Sequence, residues 1–385
     1  MLKIKTIKDF KNLKDKKILL RVDFNVPVSK GKITDDYRII STLPTIRYLL
    51  TKKCKIIIMT HWGKPGGKKI KEYSTKKLAV YLSEKINKKI DFIDDCIGSK
   101  VFKKTEIMKN GDILFLENLR YYKEEEKNDI IFASQLAQLG DVYVNDAFGV
   151  SHRKNASVSA ITNFLSPCAG LLLESELLNL EKIFNPKKPL IVLIGGAKIK
   201  TKIALIKKIQ KNALKILIGG ALANNFFASK NYEVGESLID TESIKIAKKL
   251  TSPKIILPID VVAGENEKIK VKKIDEIKKN EKIFDIGPET IKLYSNYIQK
   301  ARTVIWNGPM GMFEIARFKT GTKEIARSVA LNSKAFGVVG GGETVEALKL
   351  TGMSQYVDWV STGGGAMLSY LGKEKMPGLK KIIKS

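Results

Sequence analysis

Short, almost continuously apolar runs alternate with stretches of helical periodicity, and this alternation restricts the fold of the chain more than any other feature. The β-rich runs fall at 17–22, 54–59, 112–117 and 141–145, and resume at 190–194, 214–218, 254–257, 302–306, 336–339 and 357–361. Helical stretches such as 74–88 and 129–139 lie between them. A strand with apolar residues at consecutive positions must bury both faces, and parallel sheets covered by helices allow this. The predicted fold class is therefore α/β, with mainly parallel sheets in Rossmann-like α/β/α layers. A chain of 385 residues exceeds what one core usually organises, so two domains of about 150–200 residues each are expected.

A linker candidate separates the two series of runs. Leu172, Leu173, Glu176, Leu177, Leu180 and Ile183 are spaced as one amphipathic helix over 171–184, and Asn185-Pro186 stops it. The predicted division is an N-terminal domain over 1–170, an interdomain helix over 171–186 and a C-terminal domain over 187–371. A helical joint, unlike a floppy tether, is expected to act as a hinge.

In open parallel sheets, ligands sit beyond the C-terminal strand ends. In the first half those ends carry charged and polar side chains: Arg21, Asp23 and Asn25; His61 and Lys64; Arg120; and Asn145 and Asp146. In the second half they carry glycine: Gly195-Gly196, Gly219-Gly220, Gly308 and Gly311, Gly340-Gly341-Gly342, and Gly363-Gly364-Gly365. Glycines between strand and helix let backbone N–H groups approach phosphate. One cluster would be an ordinary tight turn, but five on successive strand ends, one followed by Lys198 and Lys202, indicate a nucleotide site. Neither G-x-x-x-x-G-K-[ST] nor G-x-G-x-x-G occurs, which argues against a P-loop protein and a dinucleotide dehydrogenase. Arginine is the preferred fork for carboxylate and phosphate. Both histidines, His61 and His152, fall in these loops, without Cys or Glu partners at zinc-ligand spacing.

The formal net charge of +29 invites a polyanionic partner. The lysines are dispersed, however, without a segregated tail or interleaved aromatics, and read as solvated faces; no specific nucleic acid is expected. A positive field would still speed capture of small anions. Cys54, Cys96 and Cys168 are sparse and widely separated, as in reduced cytosolic proteins. No apolar run reaches the roughly 18 residues of a membrane span, and the first residues lack a signal-peptide core. A cytoplasmic location is expected.

In order and spacing, the motifs resemble the phosphoglycerate kinase family from Ile18 to about Leu379. They are Arg21-x-Asp23-x-Asn25-x-Pro27, His61-x-Gly63-x-Pro65, Leu116-Glu117-Asn118-x-Arg120, and Asp146-Ala147-Phe148-Gly149-x-x-His152-Arg153. Gly195-Gly196-Ala197-Lys198, Trp306-Asn307-Gly308-Pro309, and Ser361-Thr362-Gly363-Gly364-Gly365-Ala366 complete the set. The resemblance implies reversible phosphoryl transfer from 1,3-bisphosphoglycerate to ADP, in a monomer whose segment 372–385 packs back on the first domain. It implies that Asp23, Asn25, Arg38, His61, Lys64, Arg120 and Arg153 bind 3-phosphoglycerate. It places Gly196, Ala197, Lys198, Lys202, Gly219, Asn307, Glu314, Gly340, Gly341, Gly342, Glu343 and Thr344 around the nucleotide, with Mg²⁺ at Glu343. Arg38, Lys198, Gly364 and Gly365 would act on the transferring group.

Three positions depart from the family pattern. Lys64 stands where Arg is usual, Ala221 replaces a third glycine after Gly219-Gly220, and Glu343 replaces an Asp expected to serve Mg²⁺. The acceptor carboxylate is already ionised, so no general base is required, and catalysis would rest on alignment and charge neutralisation after domain closure. A rival reading, a nucleotide- or RNA-binding protein on an inactive kinase scaffold, draws on the charge and on Glu343.

Overall fold

The computed structural model describes residues 2–197, 199–266 and 268–384. The chain divides into two compact units, Met1–Leu178 with Lys375–Ser385, and Asn179–Glu374.

The first unit is built on six parallel strands in the order Asp91–Ile93, Ile113–Leu116, Lys55–Met59, Lys17–Val22, Val142–Asp146 and Pro167–Ala169. Strand alternation assigns the continuous apolar runs to two cores. Ile18, Leu20, Val22, Ile56 and Ile58 belong to one, and Leu19, Ile57 and Met59 to the other. The chain leaves Lys17–Val22 toward one edge and returns to its other side at Val142–Asp146. The end of Lys17–Val22 is therefore a topological switch point, where a crevice opens between diverging loops.

The second unit repeats the scheme, in the order Ile255–Ile256, Lys215–Ile218, Leu190–Ile194, Thr303–Asn307, Phe336–Gly340 and Trp359–Ser361, again all parallel. Its switch point lies between Leu190–Ile194 and Thr303–Asn307, at two of the glycine clusters. A three-stranded antiparallel sheet of Lys268–Lys273, Asp260–Glu265 and Lys282–Ile286 adds to this unit, and was not foreseen from the sequence.

The linker helix spans Leu171–Glu181, ending before the predicted 184. There the N–H groups of Ile183 and Phe184 reach back only three residues, to Leu180 and Glu181, so the last turn tightens out of α-geometry. The boundary between the units falls inside this helix. From the far end of the chain, Ile383–Lys384 pairs antiparallel with Lys3–Ile4, and the Asn145 amide donates to Gly378 O at 3.1 Å.

Candidate functional site

In the first unit the switch point gathers side chains that are far apart in sequence. Asp23 follows the Lys17–Val22 strand and is buried. Its Oδ2 receives Arg38 at 2.9 Å, from the first turn of the helix Tyr37–Thr51. Arg38 also donates to Asn25 O at 3.3 Å, and Asn25 Oδ1 accepts Gly63 N–H at 2.9 Å. Arg120 closes the ring by donating to Gly63 O at 2.7 Å. Asn118 fixes the two loops to one another, accepting from Trp62 N and Arg120 N and donating to Trp62 O. Asp23, Asn25, Arg38 and Arg120 thus form one connected cluster, and His61 stands beside it, its Nδ1 3.8 Å from Asp23 Oδ1. Arg153 is half-buried and acts on His61 and Arg120 through its charge, whereas Lys64 is exposed.

The charges in this cluster are unequal in consequence. Burial would raise the Asp23 carboxyl, but the Arg38 and Arg21 guanidinium groups beside it outweigh burial and hold the carboxyl below its ordinary range. Burial drives His61 well below the ordinary imidazole value. Arg21, Arg120 and Arg153 push the same way, and Asp23 only partly opposes them. His61 is therefore a neutral hydrogen-bonding group near pH 7, and the positive charge rests on the arginines.

In the second unit the glycines close around a cavity of about 650 Å³. Gly196 N–H donates to Pro309 O at 2.7 Å and Gly220 N–H to Met310 O at 2.8 Å, which draws three strand-end loops together. A Cβ on Gly220 (φ +58°) would lie 2.4 Å from Gly196 N, and one on Gly308 (φ +92°) would lie 2.2 Å from Gly195 O. Only glycine permits both the left-handed backbone and this approach. Asn307 donates to Gly340 O at 2.6 Å, and Thr344 Oγ1 accepts Gly308 N–H at 2.7 Å. Lys202 is buried and its ammonium donates to Gly195 O. Gly219 packs on Met310, and Gly341 (φ +103°) precedes the helix Gly342–Leu350.

Gly196, Ala197, Ala221, Glu314 and Glu343 all line the cavity. Gly364 (φ +47°) caps the helix Gly365–Leu371, and neither Gly364 nor Gly365 lines the cavity. Lys198 lies outside the described residues. No group of three potential metal ligands occurs among the described residues. Glu343, an exposed carboxylate on the cavity wall, nevertheless suits Mg²⁺, which binds through one or two carboxylates plus substrate phosphates and keeps several waters.

Several cavity residues escaped the sequence reading. Asn224, Phe227, Phe284, Asp285 and Met310 line the wall, and Phe284 stacks on Phe318 with ring centroids 4.3 Å apart. Met310 sits within the cluster between Gly308 and Gly311 but was not singled out, and the others stand in no motif; the contribution of Phe284 and Asp285 from the antiparallel sheet could be found only by folding the chain. The same holds in the first unit for Glu125 and Ser157, whose contacts with Arg21 appear only in three dimensions.

One parallel α/β unit thus carries a basic polar crevice at its switch point, and the other a glycine-walled cavity. The family described as phosphoglycerate kinase matches residues 7–374. Proteins of that description from Pelotomaculum thermopropionicum and Hydrogenobaculum sp. are 40% and 44% identical. The alignments cover 98% of this chain and 99% of the first, and 97% of this chain and 97% of the second. The crystal structure of phosphoglycerate kinase from Pyrococcus horikoshii is similar with a TM-score of 0.89 at 32% identity, covering 98% of each chain. The structure of phosphoglycerate kinase from Coxiella burnetii gives 0.85 at 36%, with the same coverage.

The chain belongs to the phosphoglycerate kinase family. Its activity is reversible phosphoryl transfer between 1,3-bisphosphoglycerate and ADP, a step of glycolysis with a carboxyl group as the acceptor in the ATP-consuming direction. The inactive-scaffold alternative finds no support among these relatives.

Proposed function

We propose that the first unit binds the three-carbon acid through the cluster of Asp23, Asn25, Arg38, His61 and Arg120, with Arg153 and Lys64 at its margin. The second unit takes ADP or ATP in the glycine-walled cavity. The observation that carries this reading is the connected cluster itself. Residues drawn from four separate loops or helices meet at a switch point, where Asp23 pairs with Arg38 and Glu126 with Arg120, and Arg153 and Lys64 at the margin add positive charge that no ion pair among the described residues offsets. A dianionic phosphate and a carboxylate match that surplus.

In this assignment Arg38 neutralises charge on the reacting end of the acid, and Asp23 holds the guanidinium in place. Asn307, Gly340, Gly341, Gly342 and Thr344 shape the phosphate end of the nucleotide site, together with Gly196, Ala197, Lys202 and Gly219; Glu314 serves the ribose. Lys198, Gly364 and Gly365 support the moving phosphoryl group. Glu343 would hold Mg²⁺, which supplies charge neutralisation on the nucleotide phosphates when bound. The acyl acceptor is a carboxylate, so no proton has to be removed before attack, and neutral His61 serves as a ligand rather than a base.

The functional domains we assign are 1–170 with 372–385 for the acid and 187–371 for the nucleotide, joined over 171–186. A cytoplasmic location fits three buried free cysteines; no helix among the described residues is long and apolar enough to cross a membrane.

Calorimetric titration of two variants tests the assignment. Arg120→Ala should weaken 3-phosphoglycerate binding at least tenfold, to the order of one lost charge-assisted contact, and leave ADP unchanged. Gly220→Ala should do the reverse. Unaltered acid binding in Arg120→Ala would remove the cluster from the acid site.

A further inference from the structure

Glu125 lies in an acidic run, Glu124-Glu125-Glu126, on the short helix Lys123–Lys127. Its neighbours are exposed, yet Glu125 is completely buried. A buried carboxylate is costly unless its oxygens are satisfied. Ser157 satisfies both of them, its backbone N–H reaching Oε2 at 2.9 Å and its hydroxyl donating to Oε1 at 2.6 Å. Tyr143, buried from the sheet side, donates its hydroxyl to Ser157 O at 2.8 Å and fixes the backbone there.

With its proton directed at Glu125, the Ser157 hydroxyl can only accept from its other neighbour. That neighbour is Arg21 Nε, at 2.9 Å. Arg21 is buried as well; one terminal nitrogen donates to Val22 O, and the other lies 3.9 Å from Glu125 Oε1 and 3.3 Å from His61 Nδ1. A guanidinium has donors and no acceptor. His61 Nδ1 must therefore present its lone pair, and the ring proton resides on Nε2. The other group near Nδ1, Asp23 Oδ1, is 3.8 Å away and outside hydrogen-bonding reach. Nε2 has no hydrogen-bond partner among the described residues.

We propose that Glu125 and Ser157 are positioning residues that act through Arg21 to fix His61 as its Nε2–H tautomer, a neutral donor aimed at the acid's oxygens. The last clause rests on the placement of His61 in the acid site; the tautomer itself does not. Every donor in the chain from Arg21 through Ser157 to Glu125 has one acceptor, so the direction of each hydrogen bond is determined. Neutral His61 adds a directed hydrogen bond where Arg21, Arg120 and Arg153 already supply the charge.

The protein has only two histidines, so ¹⁵N imidazole spectra of the ligand-free protein test the tautomer directly, with His152→Gln to assign the signals. His61 should show an unprotonated Nδ1 and a protonated Nε2. In Ser157→Ala, which removes the acceptor of Arg21 Nε, the two tautomers should interconvert. KM for 3-phosphoglycerate should rise about five- to tenfold, the scale of one hydrogen bond, with kcat little altered; Ser157→Thr should restore both. A protonated Nδ1 in the wild-type protein overturns the proposal without recourse to any variant. So does a folded Ser157→Ala that keeps the wild-type spectrum and KM. A changed tautomer with unchanged KM supports the relay and instead removes His61 from the acid site.

Discussion

Asp146 and Gly170 leave no room between them for one more carbon. A Cβ on Gly170 would lie 2.3 Å from Asp146 Oδ1 and 2.9 Å from Asp146 Cβ. The same Oδ1 accepts Leu173 N–H at 3.0 Å, so this carboxylate fastens the first turn of the linker helix to the strand Val142–Asp146. Gly170→Ala should therefore cost about 2–3 kcal/mol through overpacking. Urea unfolding of the variant, followed by a probe in the first unit, checks this.

Asp146 also governs how stability responds to pH. Burial pushes its carboxyl up to about 7, against the Thr45 hydroxyl and the Leu173 N–H, which pull the other way; burial likewise takes Asp285 in the second unit to about 7. In the unfolded chain both would titrate near 3.8. Between these values the folded protein binds more protons than the unfolded one, so the contribution is complete below about pH 4 and is lost as pH rises through 7. Asp146→Asn keeps an acceptor for Leu173 and cannot ionise. Relative to wild type it should gain stability steadily from pH 4 to 7, reaching a few kcal/mol at most. Unfolding midpoints measured across that range for both proteins decide the matter; parallel curves would place the titration elsewhere.

Arg38 is about a third exposed and pairs with a carboxylate already held ionised. Arg38→Ala should lower kcat by about 10²–10³, the usual loss for one preorganised donor, in a protein that still folds but unfolds at a lower temperature, because buried Asp23 loses its partner. Lys198→Ala should have a similar effect on kcat. A coupled assay of ATP formation reads both, and turnover within a few-fold of wild type removes the residue from the reaction.

Glu343 reaches one methylene further than the aspartate usual at this position. Octahedral Mg²⁺ tolerates misplaced ligands poorly, so Glu343→Asp should lower the Mg²⁺ concentration for half-maximal rate and Glu343→Gln should raise it several-fold. Rate measurements over a Mg²⁺ series at fixed ADP distinguish these from a carboxylate that plays no part, for which the curves would coincide.

The central strands were legible because their chemistry is local. Lys17–Val22 and Leu190–Ile194 coincide with their apolar runs. The edges of the first sheet were not: Asp91–Ile93 and Pro167–Ala169 are three residues each, too short to show a period. Lys268–Lys273 carries lysine at four of its six positions and is largely exposed, so its strand character comes from pairing with Asp260–Glu265 rather than from burial. In the site, Asp23, Arg38, His61 and Arg120 stood out because each lies in or near a motif at a strand end. Glu125 and Ser157 did not. An acidic run ordinarily marks a solvated face, and nothing local distinguishes the glutamate that turns inward to meet a serine 32 residues away.

The segment Lys375–Ser385 belongs to the first unit, where Leu379 and Ile382 are buried and Gly378 O receives Asn145. The second unit, by contrast, is a single continuous stretch, Asn179–Glu374. During synthesis the ribosome therefore delivers most of the first unit early but withholds its closing piece until after the second has emerged. The stretch made second can complete its core first, while the stretch made first waits for 375–385 with the places of Leu379 and Ile382 unfilled.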